Sequence, residues 1–260
     1  MSTSSVSFRS LVLPKEHGSW SLAFEPVALG LLVAATPAGF ALAATIVAGF
    51  FVRRPLKLAV TFPGGDPRRR PALAWALGFG TVACVALTGT AWLGSWSALW
   101  PLLGCVPFGA IFLWFDLRNE MRAAEAELAG SAAFALAPAA FATLAGWNAP
   151  AALGLAALML TRSIPTVLTV RCYLRLAKSL PAQPFDAIAA AVFALIAITI
   201  LAQRGVVPIV GGWLATGLLA RTVVFVTRLR PAWTAKQVGL LEWFIGLVYL
   251  SGLALAWHGC

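Results

Sequence analysis

Residues 72–115 read ALAWALGFGTVACVALTGTAWLGSWSALWPLLGCVPFGAIFLWF. These 44 consecutive residues carry no charged side chain; they follow Arg68-Arg69-Arg70 and stop at Asp116. About 20 residues of helix cross a bilayer core, so the stretch holds two crossings that turn at Gly94-Ser95. The apolar residues run continuously instead of alternating, and Ala and Leu dominate. In hydrocarbon the backbone must satisfy its own hydrogen bonds, and this pattern meets that demand with helices rather than a barrel.

Outward from this stretch the same pattern repeats. Charge arrives in four bundles, Arg53–Arg70, Asp116–Glu127, Arg162–Lys178 and Arg228–Lys236, with apolar chain between them. Spans are expected at about 19–35, 38–57, 72–92, 96–115, 128–146, 149–170, 185–201, 206–226 and 238–257. The expectation is an all-α polytopic transmembrane bundle of about nine spans, residues 1–260 forming a single membrane domain. Sixty per cent of residues are hydrophobic and 11% charged, which agrees with the membrane class. The first apolar segment is read as a retained span and not a secretory signal, because no small-residue cleavage site closes a short hydrophobic region.

The turns near Pro37, Ser95 and Asn148 carry no charge and the turn at Arg204 carries one, whereas the alternate loops hold almost every Lys and Arg. Positive residues are retained in the cytoplasm. That rule predicts a cytosolic N-terminus, with the charged bundles on the same side, and a C-terminus outside. It also accounts for the net charge of +10 without nucleic acid. Trp92, Trp96, Trp100, Trp147 and Trp257 fall near the outer interface as an aromatic belt.

Function is sought where charges depart from this pattern. Read as one helix, residues 116–127 place Asp116, Glu120 and Glu127 on a single face. Three carboxylates at an interface are a candidate site for Mg²⁺, which takes a few carboxylates plus substrate phosphates; Arg118 and Arg122 neutralising them is the other reading. Basic residues supply a second set. Lys15, Arg54, Lys57, Arg162 and Arg171 are candidate contacts to an anionic headgroup, since guanidinium suits phosphate and carboxylate. Arg162 lies inside an apolar segment, where an unpaired charge is expensive and faces the bundle interior.

Glu25 and Glu242 are likewise embedded in apolar sequence. With His17 they are the candidate catalytic groups, His17 by proton transfer or headgroup contact. Pairing of Glu25 or Glu242 with Arg162 or Arg221 is the purely structural alternative. No P-loop, H-E-x-x-H, G-x-S-x-G or Cys/His metal spacing occurs, which argues against soluble hydrolytic and nucleotide-driven chemistry.

Pro14-Lys15-Glu16-His17-Gly18-Ser19-Trp20 resembles the P-K-x-H-G-x-W opening of the YwiC-like bacterial membrane proteins. Arg54-Pro55-Leu56-Lys57, Asp116-Leu117-Arg118-Asn119-Glu120 with Glu127 and Gly130, Arg162-Ser163-Ile164-Pro165 with Val170-Arg171, and Gly239 with Glu242 are similar to later blocks of that family. The resemblance implies an integral membrane protein, expected in the bacterial cytoplasmic (inner) membrane, and no established activity. The layout is also similar to UbiA-type intramembrane prenyltransferases, which bind an isoprenyl diphosphate through Mg²⁺ at two Asp-rich motifs. Here Arg-Arg-Pro-Leu-Lys stands where N-D-x-x-D would end span two, and no D-x-x-x-D follows span six. The reading is therefore a membrane protein with a cytosol-facing polar site for an isoprenoid diphosphate or other anionic lipid, as a Mg²⁺-dependent transferase if it is an enzyme. A small transporter, or a structural partner in a membrane complex, is the alternative.

Overall fold

The computed structural model describes residues 11–12 and 18–258. Among these, nine helical rods follow one another with short connections. They are α1 (Gly18–Val33), α2 (Pro37–Thr61), α3 (Arg69–Leu93), a 3₁₀ turn (Ser97–Gly104) running into α4 (Cys105–Leu117), α5 (Ala124–Ala135) continued by α6 (Ala137–Leu144), α7 (Ala149–Ala177), α8 (Pro184–Gln203), α9 (Val210–Val226) and α10 (Ala235–His258). Seven rods are long and apolar enough to cross a membrane; α9 and the apolar part of α1 are shorter. A helical rod stands at each of the nine expected positions, with different ends, and seven of the nine are candidate spans. The second and sixth run on to Thr61 and Ala177, so the basic residues Arg53–Lys57 and Arg171–Arg175 are helical.

The uncharged turns are built from local chemistry. Thr36 caps α2 by accepting the Gly39 N–H at 2.9 Å, with Pro37 at the first helical position. Asn148 does the same for α7 through the Ala151 N–H, also at 2.9 Å. Such caps satisfy N–H groups that the first helical turn leaves orphaned, and proline there lacks only an N–H that has no intrahelical partner. Gly146 (φ 82°) and Gly205 (φ 69°) make the left-handed reversals after α6 and α8. Pro138 cannot accept the helical geometry of the turn before it, which divides the fifth rod between α5 and α6.

The α5–α6 rod and α7 are the most enclosed of the long spans. Ala126, Ala129, Gly130, Ala132, Ala135 and Ala139 are buried, and such small residues let helices approach closely where no water drives them together. Gly30 of α1 meets the Phe141 ring at a separation no Cβ would permit. A core of Leu29, Leu155, Leu158, Met159, Ile198 and Leu253 joins α1, α7, α8 and α10. Leu77, Val85, Leu103, Val106, Phe185 and Phe193 instead point outward and are exposed, as side chains that face hydrocarbon do. α3 packs chiefly on α2 at the edge of the bundle.

The loops that hold almost every Lys and Arg lie at one end; the turn at Arg204 is at the other. Arg171 Nη1 donates to the Arg122 carbonyl at 2.6 Å, and Tyr173 Oη donates to the Pro231 carbonyl at 2.6 Å, tying the loop after α4 and the loop before α10 to α7. In the α2–α3 loop Asp66 accepts from Arg68 (2.8 Å), and these hydrogen bonds hold its carboxyl below the usual range. At the opposite end Trp147 stacks on Trp257 with ring centres 5.2 Å apart, and His258 Nε2 lies 2.8 Å from the Leu32 carbonyl.

Candidate functional site

Two constellations carry the charge. The first joins the charged end of α2 to the end of α4. Arg53 and Lys57 are four residues apart on α2 and so share a face. Arg53 Nε donates to Asp116 Oδ2 at 2.8 Å, and Lys57 Nζ donates to Asp116 Oδ1 and to the Asp116 carbonyl, each at 2.6 Å. The Arg53 guanidinium also lies over the Phe112 ring, 4.6 Å from its centre, where a cation is attracted to the ring face. One buried carboxylate thus latches two cations and leaves the cluster net positive.

Beside this latch a cleft of about 620 Å³ opens at the charged end, lined by Lys57, Asn119, Glu120, Met121, Arg122 and Ala123. Its floor exists because the chain does not stay helical. α4 stops at Leu117, Asn119 takes φ 60°, and α5 starts only at Ala124. Asn is one of the few residues that tolerates this left-handed conformation.

That break corrects the expected acidic stripe. Asp116, Glu120 and Glu127 do not share one helix face. Asp116 is held by Arg53 and Lys57, Glu120 is exposed at the cleft, and Glu127 pairs with Arg171 at 3.0 Å. Among the described residues no group of three or more His, Cys, Asp or Glu side chains is placed to hold a metal ion. The three carboxylates as arranged do not fit the expected Mg²⁺.

The second constellation lies inside the bundle, where four helices each supply one charge. Arg162, near the middle of α7, is 3% exposed. Its Nη1 donates to Thr166 Oγ1 (2.6 Å) and Glu242 Oε2 (3.3 Å). Its Nη2 donates to the Glu242 carbonyl (2.9 Å) and reaches Glu25 Oε1 of α1 at 3.4 Å. Arg221 of α9 donates through Nη1 to Glu242 Oε1 and through Nη2 to Thr166 Oγ1 (3.1 Å). Glu242 of α10 is therefore held by both arginines, and Glu25 by one. The Tyr249 hydroxyl, further along α10, donates to the Leu158 carbonyl at 2.8 Å. Two carboxylates and two guanidiniums balance each other where an isolated charge would be prohibitive.

The structure thus groups Glu25, Arg162 and Glu242 in the interior and Lys57, Asp116 and Glu120 at the charged end. Arg171 joins Glu127, and Arg54 is half-buried on the turn that carries Arg53. Lys15 and His17 lie outside the described residues. Sequence reasoning left two participants off the list of site residues. Arg53, not Arg54, takes Asp116; its four-residue spacing from Lys57 was the available signal. Arg221 joins the interior network opposite Glu242, and its place inside an apolar run marked it as a pairing partner. Cys84, Cys105 and Cys172 are free thiols.

An all-helical bundle with this many membrane-length apolar rods and a charge-balanced interior defines an integral membrane protein. Residues 13–142 match the family described as YwiC-like protein, and the chain belongs to that family. The match takes in Glu25, Lys57, Asp116, Glu120 and Glu127, while Arg162, Arg221 and Glu242 lie beyond it. No curated protein and no solved structure matches the chain.

Proposed function

We propose that this protein resides in the cytoplasmic (inner) membrane with its charged end in the cytosol, and that it binds there the phosphorylated headgroup of an anionic lipid or isoprenyl diphosphate. The observation that carries this reading is the cleft beside the Arg53–Asp116–Lys57 latch. It opens at the ends of lipid-facing helices and presents Lys57 and Arg122 together. An acyl or prenyl tail would lie along the bundle surface while the phosphate met these cations. Arg54 and Arg171 stand on helices that end at the same face, and Lys15 and His17 immediately precede α1 in sequence. We assign these four to headgroup contact, with proton transfer as the added role for His17. Arg162, Glu25 and Glu242 engage one another in the interior, and we place them outside the cleft.

Group transfer is the activity such a ligand would serve, and the nine-rod layout with its charged loops at one end supports a UbiA-like arrangement. The chain's own part would be to bind and orient the phosphate. A divalent cation, if required, would have to draw Asp116 away from Arg53 and Lys57 or arrive already bound to the diphosphate. The test is thermal unfolding of the detergent-purified protein with farnesyl diphosphate, inorganic diphosphate or phosphatidylglycerol, with and without Mg²⁺. Stabilisation by a phosphorylated ligand that disappears in the Lys57→Gln/Arg122→Gln variant is expected. The same stabilisation in that variant, or none in the natural protein, would remove the cleft as the site.

A further inference from the structure

The interior network is charge-balanced, yet its hydrogen bonding is incomplete. Arg162 Nε and Arg221 Nε are both buried and neither has a partner. Buried polar groups are nearly always paired, and two orphaned donors in one small cluster are unusual. Both arginines are more than nine-tenths enclosed as side chains, 3% and 7% exposed, and both touch Thr166 Oγ1 and Glu242. On a guanidinium, Nε–H and one N–H of Nη2 lie side by side and together take the two oxygens of a carboxylate. At Arg162 this edge is poorly filled. Nη2 donates to the Glu242 carbonyl at 2.9 Å and with its remaining N–H reaches only Glu25 Oε1 at 3.4 Å, and Nε has no acceptor among the described residues.

Glu25 is also the network's weaker-held acid, since Glu242 is held by both arginines and Glu25 by one, at 3.4 Å, with a hydrogen bond from Ser21 of its own helix. The groups that bear on Glu25 are Arg162 of α7, Glu242 of α10 and Ser21 on its own helix. Arg221 of α9 and Tyr249 of α10 complete the polar surroundings. α6 has no titratable residue, while α5 carries Glu125 and Glu127 in its first turn and α2 carries Arg53, Arg54 and Lys57, all toward the charged end.

We propose that this network is a binding site for a small oxyanion of carboxylate type, taken up together with one proton. The proton goes from solvent to the Glu25 carboxylate. Neutral Glu25 gives up its long contact, and the two arginines then carry a net positive charge of one against Glu242. The oxyanion restores neutrality by accepting from Nε and Nη2 of Arg162 and approaching Nε of Arg221. No covalent bond other than the O–H of Glu25 is made or broken. The inference is independent of the headgroup cleft.

The experiment is thermal unfolding of the detergent-purified protein in sodium formate, with sodium chloride at equal ionic strength as control, in mildly acidic and mildly alkaline buffer. Formate is expected to raise the melting temperature over chloride in acid and to lose that advantage in alkali. Glu25→Gln mimics the protonated acid and should respond to formate in both buffers. Arg162→Lys keeps the charge but lacks the two-donor edge and should lose the response; Arg221→Lys, should Arg162→Lys not fold, is expected to weaken it several-fold. Lys57→Gln/Arg122→Gln should keep it, which separates this site from the cleft. No formate effect in the natural protein, an effect matched by chloride, or one indifferent to pH would overturn the proposal.

Discussion

Glu25 of α1 rests directly on Gly246 of α10. A Cβ built on that glycine would collide with Glu25 Oε1 and lie 2.8 Å from its Cδ and 3.3 Å from Arg162 Nη2. The glycine is required by the carboxylate beside it, not by its own backbone angles. Gly246→Ala is expected to push the Glu25 carboxylate, the far end of a flexible side chain, away from Arg162, and to cost about 1 kcal/mol for the weakened contact. Unfolding in mixed micelles reads the loss. Gly239→Ala on the same helix, where nothing lies within 4 Å, should leave stability nearly unchanged.

Removing Arg162 strands two acids at once. Arg162→Met leaves Glu25 without its guanidinium and deprives Glu242 of one of two. Breaking a buried pair on one side costs roughly 3–5 kcal/mol, enough to deplete folded protein in the membrane. Arg162→Met combined with Glu25→Gln should recover part of the loss, because one unpaired charge is then gone. Expression and unfolding midpoints of the two variants test the coupling; purely additive losses would mean that the pair does not interact.

At the charged end the prediction runs the other way for binding. Asp116 neutralises part of the charge on Arg53 and Lys57, so Asp116→Asn should release both cations into the cleft. Affinity for a phosphorylated ligand is expected to rise several-fold, without Mg²⁺, while stability falls by about 1–3 kcal/mol for lost charge-assisted hydrogen bonds. Titration with inorganic diphosphate measures the affinity. A loss of Mg²⁺-dependent binding in Asp116→Asn, with no gain in the absence of Mg²⁺, would return Asp116 to the role of metal ligand.

Glu127 and Arg171 are both partly exposed, 36% and 27%. An ion pair so open to solvent contributes about 0–1 kcal/mol. Glu127→Gln should therefore change the unfolding midpoint little, and it should leave diphosphate binding intact in the presence or absence of Mg²⁺.

The proposed orientation has a direct readout. Ser179, in the loop after α7, and Ser95, between α3 and the 3₁₀ turn, lie at opposite ends of the bundle. In a background with the native cysteines replaced, Ser179→Cys should be blocked only by a permeant thiol reagent applied to whole cells, and Ser95→Cys also by an impermeant one. The reverse pattern would invert the topology and place the cleft outside.

The helices were legible because the bilayer imposes a length on them: 44 uncharged residues admit two crossings and little else. Turns at Pro37, Gly94-Ser95, Asn148 and Gly205 were legible from residues that cap or reverse a chain. The interior grouping of Glu25, Glu242, Arg162 and Arg221 was foreshadowed by the cost of lone charges in apolar sequence, but periodicity along one helix cannot say which helices meet. The acidic stripe failed for a local reason. Its reading needed an unbroken helix, and the left-handed Asn119 breaks the helix between Asp116 and Ala124. At Asp116 the spacing of Arg53 and Lys57 signalled that the two share a face, but that this face of α2 meets α4 depends on helix rotation, which the sequence does not show.

The interior network joins the first rod to the last. Glu25 emerges from the ribosome before Arg162 and Arg221, and Glu242 after them. During synthesis the first helix therefore waits in the membrane with an unmatched acid, and a chain cut short before the last helix has two guanidiniums against one carboxylate. Assembly of α1, α7, α9 and α10 is thus written into their electrostatics: until α10 joins, the network carries an uncompensated charge inside the membrane.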